Sequence, residues 1–286
     1  MSQNNVQFVP SEDLVGGDVL GLDLSQPLEE STATALKRFF YERSVICIRD
    51  QTLQPEDQLR VARLFGEPDV HFKTQYSHPE HQQVMLISNI IEDGRHIGYA
   101  DAGRVWHSDG SYMQTPVAVT LLYALEVPIE DGVALGDTHF ASAWAAFDDL
   151  PAETKRWAAS HEAIHEVGGR RRAIATGEQH DRDQDDEHPD AVHPLVRVHP
   201  ETGRRYIFVN EGECTHVVGL DDSLALPRLQ QLARAVYQPQ YQFTHRWREG
   251  DLLLWDNCAV QHLASFDYEW PRHRRHMHRI TVPEVA

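Results

Sequence analysis

Apolar residues in this chain come in short runs, and that limits the folds open to it. Residues 44–48 (SVICI), 84–88, 117–126 (VAVTLLYALE), 251–255 and 278–282 are each about the length of a β-strand. None approaches the ~20 residues that a membrane helix needs. SVICI and VAVTLLYALE read as buried strands. Residues 15–25 alternate apolar with small or polar residues, which suits a strand after a glycine turn. Residues 193–199, 206–210, 214–218 and 243–247 read as further strands, and 138–140 as a brief one. Helical spacing is confined to a few segments. Residues 28–41 carry Leu36, Phe39 and Phe40 on one face, with Ser31 as the expected N-cap. Residues 55–65 form an amphipathic helix that Gly66 is expected to stop. Residues 142–150, 152–159 and 223–237 complete the helices, and 90–103 and 128–136 read as loops. Many short strands with a few helices point to a mixed, β-rich class: a sandwich or barrel core with flanking helices. No internal repeat or linker divides the chain, so residues 1–286 are read as a single domain. Residues 168–192 are polar and charged, and a mobile insert is expected there.

Charge narrows the partners. A net charge of −18 argues against nucleic acid, whose phosphates need a basic surface. The basic stretch at 272–279 is the local exception. Cys47, Cys214 and Cys258 lack CxxC spacing, so neither a zinc cluster nor a disulfide framework is expected, and a reducing compartment is the default. The N-terminal stretch has no basic and apolar leader pattern. These features predict a soluble cytoplasmic protein with no membrane partner. They leave the oligomeric state open, a homo-oligomer included.

Chemistry-bearing residues gather in two stretches. Residues 105–112 (VWHSDGSY) hold His107 and Asp109 in an apolar and aromatic setting. On a strand, residues i and i+2 share a face, so this pair can reach one ion from one side. Alone it says little in a chain with 18 histidines and 44 acidic residues. A second apolar run, residues 252–262, ends in His262. Two histidines and a carboxylate are the facial set that binds non-haem Fe(II) and leaves three positions open. The plain alternative is a hydrogen-bonded polar cluster at a sheet edge. A rival lies at His161, Glu162 and His165, which fit H-E-x-x-H. On a helix these would hold zinc with Glu162 as base, making a zinc hydrolase. Against it, the third-histidine position of the metzincins is Arg171, and so short a pattern arises easily among 18 histidines.

More of the chain carries a likeness. In order come residues 21–28 (GLDLSQPL), 62–66 (ARLFG), 106–109 (WHSD), 136–138 (GDT), 255–257 (WDN), 261–262 (QH) and 274–279 (RRHMHR). In these the chain resembles the Fe(II)/2-oxoglutarate-dependent dioxygenases of the taurine dioxygenase and 2,4-dichlorophenoxyacetate dioxygenase family. The resemblance implies a double-stranded β-helix, or jelly roll, with helices around it. It implies His107, Asp109 and His262 as iron ligands and O2 as co-reactant. It implies Arg275 as the salt-bridge partner of the distal carboxylate of 2-oxoglutarate, with Thr138 hydrogen-bonded to the same group and Trp255 walling the iron. An arginine fork matches a carboxylate with two parallel donors, and a hydroxyl adds a third without a second charge. The implied reaction hydroxylates an unactivated C–H of a small anionic molecule, a sulfonate, carboxylate or relative, and yields succinate and CO2. His71 and Arg279 stand where the taurine enzyme holds its sulfonate. Gly110 replaces a larger apolar residue of that enzyme, which implies a different, bulkier substrate. Residues 161–165 match a family strand, which weighs against the zinc reading. The remaining alternative is a jelly-roll protein that binds iron without turnover.

Overall fold

The structure is a computed structural model, and it describes residues 6–100, 102–168 and 189–285. Most of the insert expected at 168–192 lies outside the described residues.

The long apolar runs assemble into one seven-stranded sheet. Its order is Gln7–Pro10, Gly17–Leu20, Val45–Ile48, Leu252–Asp256, Val117–Glu126, His276–Pro283 and Met85–Ser88. All neighbours are antiparallel except Gly17–Leu20 against Val45–Ile48. Both faces are covered, so alternate side chains enter different cores. Ile46, Ile48, Leu121 and Leu254 face one core, while Val45, Cys47, Leu122 and Leu253 face the other. That two-sided burial is why these strands carry no polar alternation.

Helices Glu30–Arg43 and Pro55–Ala62 close the first core with Leu36, Phe40 and Leu59. Burying side chains of this size stabilises by about 1.5–3 kcal/mol each, and Phe40→Ala would cost about 3–5 kcal/mol. A smaller sheet, Gln242–His245, Thr138–Ser142 and Val260–Ala264, faces the second core and meets it with Phe140 and Val260. Two facing sheets with helices outside are the jelly-roll core expected of the sequence. A third cluster gathers Ala143–Asp149, Asp222–Val236 and the sheet of Ala191–Pro194, Glu162–His165 and Cys214–Val217.

Several local expectations differ. Ser31 does not cap its helix: Glu29 is the N-cap, without a side-chain capping hydrogen bond, and the acidic Glu30 favours the positive helix end instead. The second helix stops at Ala62, short of Phe65, whose ring packs edge-on against Phe40 at 4.8 Å. Gly66 serves close approach, since a Cβ there would lie 2.7 Å from Val282 Cγ1. The two expected loops each contain a hairpin, Ile91–Glu92 with Arg95–His96 and Ile129–Glu130 with Val133–Ala134. Asp93-Gly94 and Asp131-Gly132 turn them with positive φ, the Asp-Gly signal of tight hairpins.

The H-E-x-x-H stretch is not a helix. Glu162–His165 is a strand, so His161 and His165 stand roughly 13 Å apart along an extended chain. The His161 ring stacks on Trp157, and the buried His165 stacks on Phe208. The two cannot share a zinc ion, which removes the hydrolase reading. No helix among the described residues is long and apolar enough to cross a membrane.

Candidate metal and cosubstrate site

His107 and His262 meet backbone to backbone. His107 N donates to His262 O at 3.1 Å and His262 N to His107 O at 2.8 Å, an isolated bridge between the chain before Asp109 and the Val260–Ala264 strand. The ring centroids lie 4.1 Å apart. The sequence placed His107 and Asp109 on one strand; they are instead brought together by this bridge and a turn. Gly110 makes that turn at φ +63°, and a Cβ there would lie 2.9 Å from Val117 Cγ2. Backbone shape and crowding therefore both favour glycine here.

The carboxylate of Asp109 sits between the rings. Its Oδ1 is 3.6 Å from His107 Nε2 and its Oδ2 is 3.9 Å from His262 Nε2. The three side chains are buried, and one ligand atom from each lies within 4.8 Å of the others. His107 Nδ1 donates to Val105 O at 2.8 Å. That bond commits Nδ1 to the backbone carbonyl and turns Nε2 toward the centre. Burial pushes the Asp109 carboxyl up, but His262, Arg279 and His107 outweigh it and hold it well below the usual carboxylate range. Two imidazoles and one ionised carboxylate, buried and convergent, fit a divalent metal of the non-haem iron kind. Cys47, His245 and Asp251 form a second group of this spacing. There, Asp251 Oδ2 already accepts from Arg49 Nη1 at 2.6 Å and Arg248 N at 2.9 Å, so a guanidinium supplies the positive charge.

Arg275 precedes the His276–Pro283 strand and is 5% exposed. Among the described residues no carboxylate pairs with it. Its group lies 5.8 Å over the Tyr268 ring, and Nε has no hydrogen-bond partner. Burial pushes its pKa down, and the neighbouring Tyr268 opposes the shift. A buried cation without a counterion is costly, and an incoming anion relieves that cost. The neighbouring arginines are already paired: Arg274 with Glu126 at 2.7 Å, and Arg272 with Glu130. Gly136 abuts Arg275, and a Cβ on it would lie 3.4 Å from Nε. Two residues on, the buried Thr138 Oγ1 accepts from Trp247 Nε1 at 3.0 Å, which leaves the hydroxyl proton free to donate.

Trp255 packs its ring 4.8 Å from that of His262. Arg279 reaches the site from the His276–Pro283 strand, with Nη1 3.6 Å from Asp109 Oδ1 and Nη2 3.2 Å from Met85 Sδ. His71 lies on a separate loop. Its ring stacks on Phe72, which meets the ring of Tyr112, three residues after Asp109, edge-on. Sequence reasoning gave no role to Thr120, Asn257, Trp247 or Tyr268. Thr120 had left a signal, as a hydroxyl within the apolar run VAVTLLYALE.

Comparison with known proteins gives a consistent picture. A family model described as "Taurine catabolism dioxygenase TauD, TfdA family" matches residues 7–281. The chain is similar to pentalenolactone F synthase of Streptomyces arenae, 33% identical over 243 residues that cover 80% of this chain and 79% of that protein. It is also similar to the alpha-ketoglutarate-dependent 2,4-dichlorophenoxyacetate dioxygenase of Burkholderia sp. (strain RASC), 29% identical over 277 residues, 92% of this chain and 89% of that one. The crystal structure of AAD-2 in complex with Mn(II) and N-oxalylglycine superposes with a TM-score of 0.82 at 24% identity, covering 99% of this chain and 98% of that chain.

Proposed function

The chain belongs to the taurine catabolism dioxygenase TauD, TfdA family, and from that premise we propose that His107, Asp109 and His262 hold iron(II) while Arg275 and Thr138 hold 2-oxoglutarate. The protein is a 2-oxoglutarate-dependent dioxygenase, an oxidoreductase that uses O2 and acts on a small molecule. The iron, when bound, supplies with 2-oxoglutarate and O2 the oxidant for an unactivated C–H, and the cosubstrate leaves as succinate and CO2.

The residues do the positioning. Arg275 offers its fork to the distal carboxylate, and the Thr138 hydroxyl, held by Trp247, donates beside it. Trp255 and Phe140 pack against the His262 ring and keep water from that side. Asp109 stays ionised and supplies the only charged ligand of the set. Arg279, next to Asp109, gives the substrate an anion anchor within reach of the metal, and His71 borders the approach. The relative acting on 2,4-dichlorophenoxyacetate takes a carboxylate, which supports an acidic substrate here. The family match over 7–281 supports reading the chain as one catalytic unit.

The observation that carries this reading is the buried Arg275 without a carboxylate partner among the described residues. The test is a panel of sulfonates, carboxylates, sulfate esters and uncharged analogues, scored by succinate formed with Fe(II) and 2-oxoglutarate. An acid should give succinate and an oxidised product in equal amounts. Preference for an uncharged compound would overturn the anion assignment, and no 2-oxoglutarate consumption with any compound would overturn the reaction.

A further inference from the structure

We infer that Thr120 and Asn257 are positioning residues, a hydrogen-bond relay that aims the Asp109 carboxylate at the metal; the inference rests on reading His107, Asp109 and His262 as a metal site. Strand pairing builds the relay. Thr120 sits opposite Trp255 in the antiparallel register of Val117–Glu126 with Leu252–Asp256. Just past that strand, Asn257 N donates to Ala118 O at 2.8 Å, which returns the asparagine toward Thr120.

Donor and acceptor chemistry then fixes every direction. The Trp255 indole N–H and the Asp109 backbone N–H can only donate. Both meet Asn257 Oδ1, at 3.2 and 3.1 Å. The amide therefore turns Nδ2 toward Thr120 Oγ1, at 2.9 Å. Thr120 accepts that bond, so its single proton goes to Asp109 Oδ2, at 2.8 Å. Thr120 is 0% exposed, Asn257 and Trp255 2% and Asp109 6%, so water does not substitute for any partner. Rotating the carboxylate would break the Thr120 bond, and Oδ1 is left facing His107 Nε2. Oriented ligands are the usual work of hydrogen bonds behind a metal site. Trp255 thus both covers the His262 ring and anchors the relay.

A plainer reading is that these bonds merely satisfy buried polar groups. The two differ in metal affinity. Mn(II) serves as the probe, titrated by electron paramagnetic resonance without 2-oxoglutarate or substrate, beside thermal unfolding of the metal-free protein. Thr120→Val keeps the shape and removes the donor, and should weaken Mn(II) binding by ~10- to 100-fold. Thr120→Ser keeps the hydroxyl and should bind close to wild type. Should Thr120→Val fail to fold, Thr120→Ala removes the same donor without a methyl against Asn257. Equal affinity in wild type and the folded donor-less variant overturns the relay, and a drop in stability alone assigns these bonds to structure. If Asp109→Ala binds Mn(II) as wild type does, the metal reading itself falls, which that control separates from failure of the relay.

Discussion

Replacing Arg275 by methionine should weaken cosubstrate binding by orders of magnitude while leaving the fold intact or firmer. The guanidinium is buried, touches Tyr268 and has no carboxylate among the described residues to offset its charge. Removing one partner of a buried charge pair costs about 3–5 kcal/mol, so 2-oxoglutarate affinity should fall by roughly two to three and a half decades. The free protein loses an uncompensated charge instead, and exchange of a buried charge for an apolar side chain is often neutral or stabilising. Arg274→Ala is the internal control. Its partner Glu126 lies at the surface, and an exposed pair contributes about 1 kcal/mol or less. Isothermal titration with 2-oxoglutarate in the presence of Mn(II), with thermal unfolding of the metal-free proteins, reads both effects. Unchanged affinity in Arg275→Met, or a large loss in Arg274→Ala, would refute the assignment.

Burial pushes His165 and His278 down to about 3 from 6.5, with His276, His78 and His81 adding to the shift at His278. Both are neutral in the fold and titrate normally once unfolded. The stability they contribute is therefore complete above pH ~6.5 and is lost as pH falls toward 3, by about 2 kcal/mol each at pH 5. Urea midpoints at pH 7.5 and 5.0 should show the decline, and coincident midpoints would contradict it. Arg279→Gln should raise the KM of an acidic substrate by ~10- to 100-fold, the worth of a lost charged hydrogen bond, with 2-oxoglutarate affinity kept. Loss of stability without a KM change would make Arg279 a structural partner of Asp109. His161→Ala should leave metal content and turnover unchanged, because its ring rests on Trp157 away from any ligand; loss of bound metal would reopen the hydrolase reading.

The sheet was legible because its strands are uniform. SVICI and VAVTLLYALE are apolar at both parities, and each parity found its own core. The three residues proposed as metal ligands were legible as residue types in order, although the geometry joining them was not. A strand was expected at His107, where a two-residue bridge to His262 and a positive-φ glycine do the work. Such a bridge is long-range and leaves no periodic trace. The Asp-Gly hairpins at 93–94 and 131–132 were visible in principle, but their flanking strands are only two residues long. Thr120 and Asn257 act through partners far along the chain, and only the packed strands show which bond each one makes. Arg275 was already named from the family resemblance, and its burial separates it from the paired Arg274.

His107, Asp109 and His262 are proposed to form one iron site that drives 2-oxoglutarate turnover. The most direct test is an anaerobic Fe(II) titration of wild type and Asp109→Ala, followed by oxygen, 2-oxoglutarate and measurement of succinate. Wild type should bind one Fe(II) per chain and form succinate only with both additions, and Asp109→Ala should lose tight binding and succinate together. Full binding and succinate formation in Asp109→Ala would contradict the account.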